Sequence, residues 1–103
     1  MRPFVVSPSA AEDLHTIWTY LALEASPSLA DATLVGLARH FAGLAEHPGK
    51  GHVRQDLTLL PLHFFAARPY LIVYQRDASP LAIHAVLHSS RNIGKLLQKR
   101  PLS

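Results

Sequence analysis

The chain has 103 residues, 49% of them hydrophobic, enough for one core and a single domain spanning residues 1–103. It contains no cysteine, which excludes a disulfide framework and thiolate metal ligation and agrees with a cytosolic setting. The net charge of +3 is unevenly spread: residues 1–48 hold two Lys/Arg against five carboxylates and residues 49–103 hold eight against two, so the C-terminal half is expected to meet an anionic partner, leaving direct contact with nucleic acid open.

Met1 to Ser7 is too short an apolar run for a signal peptide, and no later stretch approaches the roughly 20 apolar residues of a membrane span, so a soluble protein without membrane contact is expected. Phe4-Val5-Val6 has β-branched and aromatic character and stops at Ser7-Pro8, which predicts a short first strand. A helix follows, started either by Ser7 with Pro8 in its first turn or by the capping box Ser9 to Glu12. Leu14, Ile17, Trp18, Leu21 and Ala25 recur at helical spacing and form its expected core face. Ser26-Pro27-Ser28 repeats the start signal with almost no loop between. Ala30, Leu34, Leu37, Phe41 and Leu44 then form the seam of a second helix that ends at Pro48-Gly49, and the tight joint predicts an antiparallel helical hairpin.

Residues 49–61 read as a long connection with Leu57, Leu59 and Leu60 as anchors. Strands are predicted over 62–68, 70–76 and 81–88, separated by Pro69 and by the turn Asp77-Ala78-Ser79-Pro80. Residues 93–103 are expected to be a short terminal helix or a tail. The resulting order, β-α-α-β-β-β(-α), is an α+β fold with the helical hairpin packed on one face of a mainly antiparallel four-stranded sheet. A four-residue hairpin loop pairs Arg76 with Leu81, Tyr74 with Ile83, Ile72 with Ala85 and Tyr70 with Leu87. Strand alternation then turns Tyr70, Ile72, Tyr74, Ile83, Ala85 and Leu87 toward the helices. Leu71, Val73, Gln75, Ala82, His84, Val86 and His88 are left on an open face.

No metal site and no cofactor is expected. His84 and His88 lie four apart on a strand, about 13 Å, too far to share an ion. His40 and His47 are about 10 Å apart along a helix, with no third ligand nearby in sequence. No serine sits in a Gly-x-Ser-x-Gly elbow, Ser89 and Ser90 follow His88 too closely for a triad, and Gly49-Lys50-Gly51 lacks the rest of a phosphate loop. Arg54, Arg76, His88, Arg91 and Tyr74 have the chemistry for managing phosphate charge and proton transfer, or are solvated surface groups and, for Tyr74, core packing. Trp18 and Tyr20 lie on and beside the first helix seam, where an amphipathic partner helix would touch the rim of a groove between hairpin and sheet.

In this element order, the stretches Phe4 to Pro8, Ala11 to Tyr20, Leu44-Ala45-Glu46-His47-Pro48, Gly51 to Arg54 with Asp56-Leu57, Tyr70 to Tyr74, and Val86-Leu87-His88 with Arg91 make the chain similar to the RelE/ParE toxin superfamily, and to its ParE branch in particular. The resemblance implies a growth-inhibiting toxin of a bacterial type II toxin-antitoxin module, cytoplasmic and held in a hetero-oligomer by a cognate antitoxin. The ParE branch poisons DNA gyrase by binding. The RelE branch is a ribosome-dependent mRNA endoribonuclease, but where it carries strand cations this chain has Leu62, Phe64 and Leu71, and residues 93–103 contain no tyrosine. Two departures from the ParE pattern stand out: His63 replaces a frequent arginine, and Asn92 replaces the acidic residue after Arg91.

On that resemblance, Arg54, Arg76, His88 and Arg91 are expected to contact the target, and Tyr20, Trp18, Leu71, Val73 and His84 the antitoxin. No catalytic residue is expected for a gyrase inhibitor. The nuclease alternative would use Arg91, His88 and Tyr74, and a second alternative is an inactive binding module of the same fold.

Overall fold

A computed structural model describes residues 3–100. Residues 1–2, and 101–103 of the expected tail, lie outside the described residues. The elements are β1 (Phe4–Val6), α1 (Pro8–Glu24), α2 (Pro27–Glu46), β2 (His63–Ala67), β3 (Tyr70–Gln75), β4 (Leu81–His88) and α3 (Ile93–Gln98), with a single 3₁₀ turn at Pro48–Lys50. Ser7 settles the start of α1: its hydroxyl accepts from the Ala10 amide at 3.1 Å, with Pro8 in the first turn. Ser26 caps α2 in the same way through Leu29 N at 3.1 Å. Each cap stabilises its helix by about 0.5–2 kcal/mol.

The sheet order is β1-β4-β3-β2, with β1 parallel to β4 and the other pairs antiparallel. The hairpin packs on one face. Ile17, Leu37, Phe41 and Leu44 meet Ile72, Tyr74, Ile83 and Val86 there, and Phe4 meets Phe41 edge-on at 5.5 Å between ring centres. Ala25, expected on the α1 seam, is instead the exposed residue just beyond the helix end. Trp18 is half-buried, with its indole N–H donating to Asp31 Oδ1 at 2.8 Å.

The opposite face, expected to be open, is covered. Ile93 and Leu97 of α3, with Leu62 and Leu57 from the long connection, pack on Phe64, Val73, Ala85 and Leu87. Burying side chains such as Ile93 and Leu97 contributes about 1.5–3 kcal/mol each, so the C-terminal segment is a helix with an apolar underside rather than a frayed tail. Of the three expected anchors in the connection only Leu57 packs on the core, and Leu59 is 88% exposed.

The predicted register is right at Tyr74↔Ile83 and shifts by one beyond it, where Val73 pairs with Ala85, Ile72 with Val86, Leu71 with Leu87 and Tyr70 with His88. His84 is the extra residue, a β-bulge, and it reverses the facing of everything after it. Val86 therefore meets the hairpin, whereas Ala85 and Leu87 lie under α3. The bulge sits where β4 loses its parallel neighbour, since β1 pairs only as far as Val6↔Ile83. Side chains take over from there. Ser7 Oγ donates to His84 O at 3.2 Å and Arg100 Nη1 to the same carbonyl at 3.3 Å. Asp13 Oδ2 accepts from Val86 N at 3.0 Å, and its carboxylate is gripped by both Arg100 terminal nitrogens at 2.7 and 3.0 Å.

Tyr74 ties the connection to the sheet. Its hydroxyl donates to Pro48 O at 2.6 Å and accepts from Gly51 N at 2.9 Å. Gly51 is required at this approach, because a Cβ there would fall 2.4 Å from the Tyr74 hydroxyl oxygen and 2.8 Å from Phe64 O. Replacing Tyr74 with Phe leaves a buried donor and acceptor unpaired and is expected to cost about 1–3 kcal/mol in urea denaturation.

His84 is 2% exposed, and its Nε2 has no hydrogen-bond partner. Burial first, and the nearby Arg100 charge second, hold its pKa below the ordinary histidine value, against an opposing pull from Asp13. The unfolded chain thus binds a proton more readily than the folded one. The contribution of His84 is complete above about pH 6.5 and is lost as pH falls below that toward the lowered native value. Urea midpoints should drop on acidification, and His84→Gln should reduce the slope by up to ~1.4 kcal/mol per pH unit.

Candidate functional site

A groove of 460 Å³ runs between the hairpin and the β2–β3 turn, walled by Leu21, Gly36, Leu37 and Ala67, with His40 and Arg68 also lining it. A second hollow, of 570 Å³, shares Ala66, Arg68, Pro69 and Tyr70 with the first and extends it toward Leu71 and Ser89. Tyr20 stands at the rim, 62% exposed. Desolvation raises the Tyr70 pKa, with a smaller push from Tyr20, so the two phenols are electrostatic neighbours. The Tyr70 ring meets His88 edge-on at 5.8 Å.

β2 is also the outer edge of the sheet. His52 and Phe64 exchange two backbone hydrogen bonds at 2.9 and 2.8 Å, which protects the start of that edge. The exposed Ala66 end lies beside the groove without that cover. An apolar trough with an aromatic rim, one arginine and an adjoining strand edge can hold an amphipathic segment through side chains and through backbone.

The expected target-contact residues do not gather in one place. His88 and Arg91 come together at the exit of β4, where Arg91 N donates to His88 O at 3.0 Å, and both are exposed. His88 Nδ1 accepts from Ser90 N at 3.1 Å and lies 2.7 Å from Ser90 Oγ. The contact caps a local turn and has no third group behind it. Arg76 lies at the other end of the β3–β4 hairpin, about 20 Å away at the rise of a strand.

Arg54 is exposed and held by Asp56 through two hydrogen bonds of 2.9 and 2.7 Å. That pairing raises the arginine pKa and lowers the aspartate's, and it locally neutralises the charge.

Of the residues expected to meet a partner protein, Tyr20 and Trp18 reach the surface and Leu71 is half-buried at the second hollow. Val73 and His84 do not, because α3 covers the face they were expected to share and the bulge folds His84 inward. Tyr74, the phenol of the nuclease alternative, is fully buried. With its hydroxyl committed to Pro48 and Gly51, and its pKa raised by desolvation, it has no path to a substrate proton. Sequence reasoning missed Asp13, Arg100, Lys95 and Lys99. Only the last two left a legible signal, the run of Arg91, Lys95 and Lys99 at intervals of four residues.

Residues 4–93 match the family described as the ParE toxin of the type II toxin-antitoxin system, parDE. Among solved structures, one described as "Chromosomal ParDE TA system from P. aeruginosa" superposes with a TM-score of 0.70 at 15% identity, covering 82% of this chain and 92% of that one. A search of curated proteins gives no match. The structural neighbour supports the fold, and the family match spans all but the ends of the chain, so this protein belongs to the ParE toxin family of type II toxin-antitoxin systems.

Proposed function

We propose that this ParE-family toxin inhibits DNA gyrase by binding it and is neutralised in the cytoplasm by a cognate antitoxin that fills the groove between hairpin and sheet. The observation that carries the binding reading is the fate of Tyr74. The phenol that the nuclease alternative would use is sealed inside the fold, leaving His88 and Arg91 as surface groups on a turn. Phosphoryl transfer needs several charges and proton carriers held around one phosphate. Two exposed side chains are better suited to gripping a macromolecule.

The antitoxin assignment follows from the shape and chemistry of the groove. Leu21 and Leu37 supply an apolar floor for the buried face of an amphipathic helix, Tyr70 and the neighbouring Tyr20 give aromatic contact area, and Arg68 with His40 favours acidic residues on its flank. Leu71 and Ser89 extend the same surface toward His88, so a bound segment long enough to cross Tyr70 reaches the target-contact turn.

Purified protein is expected to inhibit gyrase supercoiling in a gel assay, with Arg91→Ala weakening inhibition at least about tenfold, the cost of one charge-assisted contact. Discrete cuts in mRNA by primer extension, with supercoiling untouched, would instead establish the ribosome-dependent nuclease. In a co-purification with the antitoxin, Tyr20→Ala should raise the dissociation constant by about 10-fold or more, as loss of an aromatic anchor does, while leaving the urea midpoint unchanged. Equal capture of both forms would remove the groove from the interface.

A further inference from the structure

Arg91, Lys95 and Lys99 follow one another at intervals of four residues along the C-terminal segment. Asn92 caps α3 through Lys95 N at 3.2 Å, and Lys99 keeps a helical backbone just past its end, so Lys95 and Lys99 share one side about 6 Å apart in rise, with Arg91, just ahead of the cap, on the same hollow. Together with Asn92 and Leu96 they line a shallow hollow of 180 Å³. The other side of α3 is fixed, because Ile93 and Leu97 are buried against the sheet. All three cations are exposed.

Among the described residues, none of the three forms an ion pair. The two ion pairs among the described residues join Arg54 to Asp56 and Arg100 to Asp13, and the C-terminal half holds no carboxylate besides Asp56 and Asp77. Like charges one helical turn apart repel by a few tenths of a kcal/mol, and no ion pair among the described residues offsets it.

We infer that the stripe formed by Arg91, Lys95 and Lys99 is a docking surface for the phosphate backbone of a nucleic acid, bound without regard to sequence. Its partner is set by what the hollow lacks. A protein partner takes most of its affinity from side chains anchored in desolvated pockets, and here the floor is only the half-buried Leu96. No aromatic residue lines the hollow to stack a base, and the Asn92 side-chain oxygen already serves the helix cap. What remains is three point charges around one hollow, which draw their free energy from counterion release along a dense polyanion. The inference is independent of gyrase or ribosome as target, since it concerns the phosphate backbone alone.

The test is fluorescence anisotropy of a labelled duplex of scrambled sequence, titrated with the full chain. Three phosphate contacts predict a slope of about −2.7 in log K against log salt, so binding should weaken about 40-fold between roughly 50 and 200 mM salt. Each single substitution, Arg91→Gln, Lys95→Gln or Lys99→Gln, should reduce the slope by about 0.9, and the triple variant should abolish binding with an unchanged urea midpoint. If the triple variant does not fold, the wild-type slope and Lys95→Gln decide. No binding at about 50 mM salt, binding indifferent to salt, or a Lys95→Gln protein with the wild-type slope would overturn the inference. Competition by polyglutamate as effective as by unlabelled duplex at equal charge would overturn it too, and would mark the stripe as a site for an acidic protein segment.

Discussion

The structure depends on how one strand edge is closed. β1 is three residues long and protects β4 only through Ile83, so the rest of that edge would leave amides and carbonyls unpaired beneath α1. Ser7, Asp13 and Arg100 close it from three directions, one from a helix cap, one from the helix second turn and one from the far end of the chain. The Asp13 and Arg100 side chains are only 13% and 15% exposed. A buried pair of this kind is a weak source of net stability, yet removing one member strands the other and costs about 3–5 kcal/mol. Its stronger effect is on geometry, since the forked contact fixes where the C-terminal segment must lie.

The consequences run outward from that closure. With Val86 N committed to Asp13, and His84 O to Ser7 and Arg100, His84 drops out of the ladder and β4 continues with its faces exchanged. Ala85 and Leu87 then need cover on the side away from the hairpin, and Ile93 and Leu97 provide it. α3 is thereby pinned at its underside by the core and just past its end by Arg100. His88, the last strand residue, emerges at the surface beside the turn that carries Arg91.

Much of this architecture was legible in the residues. Ser-Pro pairs marked both helix starts through a mechanism that acts locally, and β1 and β4 begin and end where β-branched runs meet Ser7, Pro80 and Ser89. The faces of β4 were not legible past Ile83, because strict alternation carries no mark for a bulge whose cause is a helix residue 73 positions away. That slip misplaced His84, whereas Val73 faces the predicted side and is hidden because α3 covers it. For Tyr74 the residues offered both core packing and proton transfer, because a phenol suited to chemistry and one suited to bridging Pro48 and Gly51 look alike until the connection is folded over it. Tyr20, His88 and Arg91 were correctly expected at the surface, since each sits at an element end or beside an apolar seam where the pattern itself ends.

The two candidate surfaces meet at His88. The groove rises from Leu21 and Leu37 to Tyr70, whose ring abuts the His88 imidazole, and the carbonyl of His88 is bonded to the amide of Arg91 at the head of the cationic stripe. On the proposed reading, an antitoxin segment seated along the groove needs only to extend past Tyr70 to cover this turn. Neutralisation then requires no contact with Lys95 or Lys99. An acidic residue placed over Arg91 would act on both counts, denying the target its contact and lowering the potential at the near end of the stripe within a screening length of about 8 Å. On that proposal inhibition and its relief share one turn, held in position by the Asp13–Arg100 closure on the strand that leads into it.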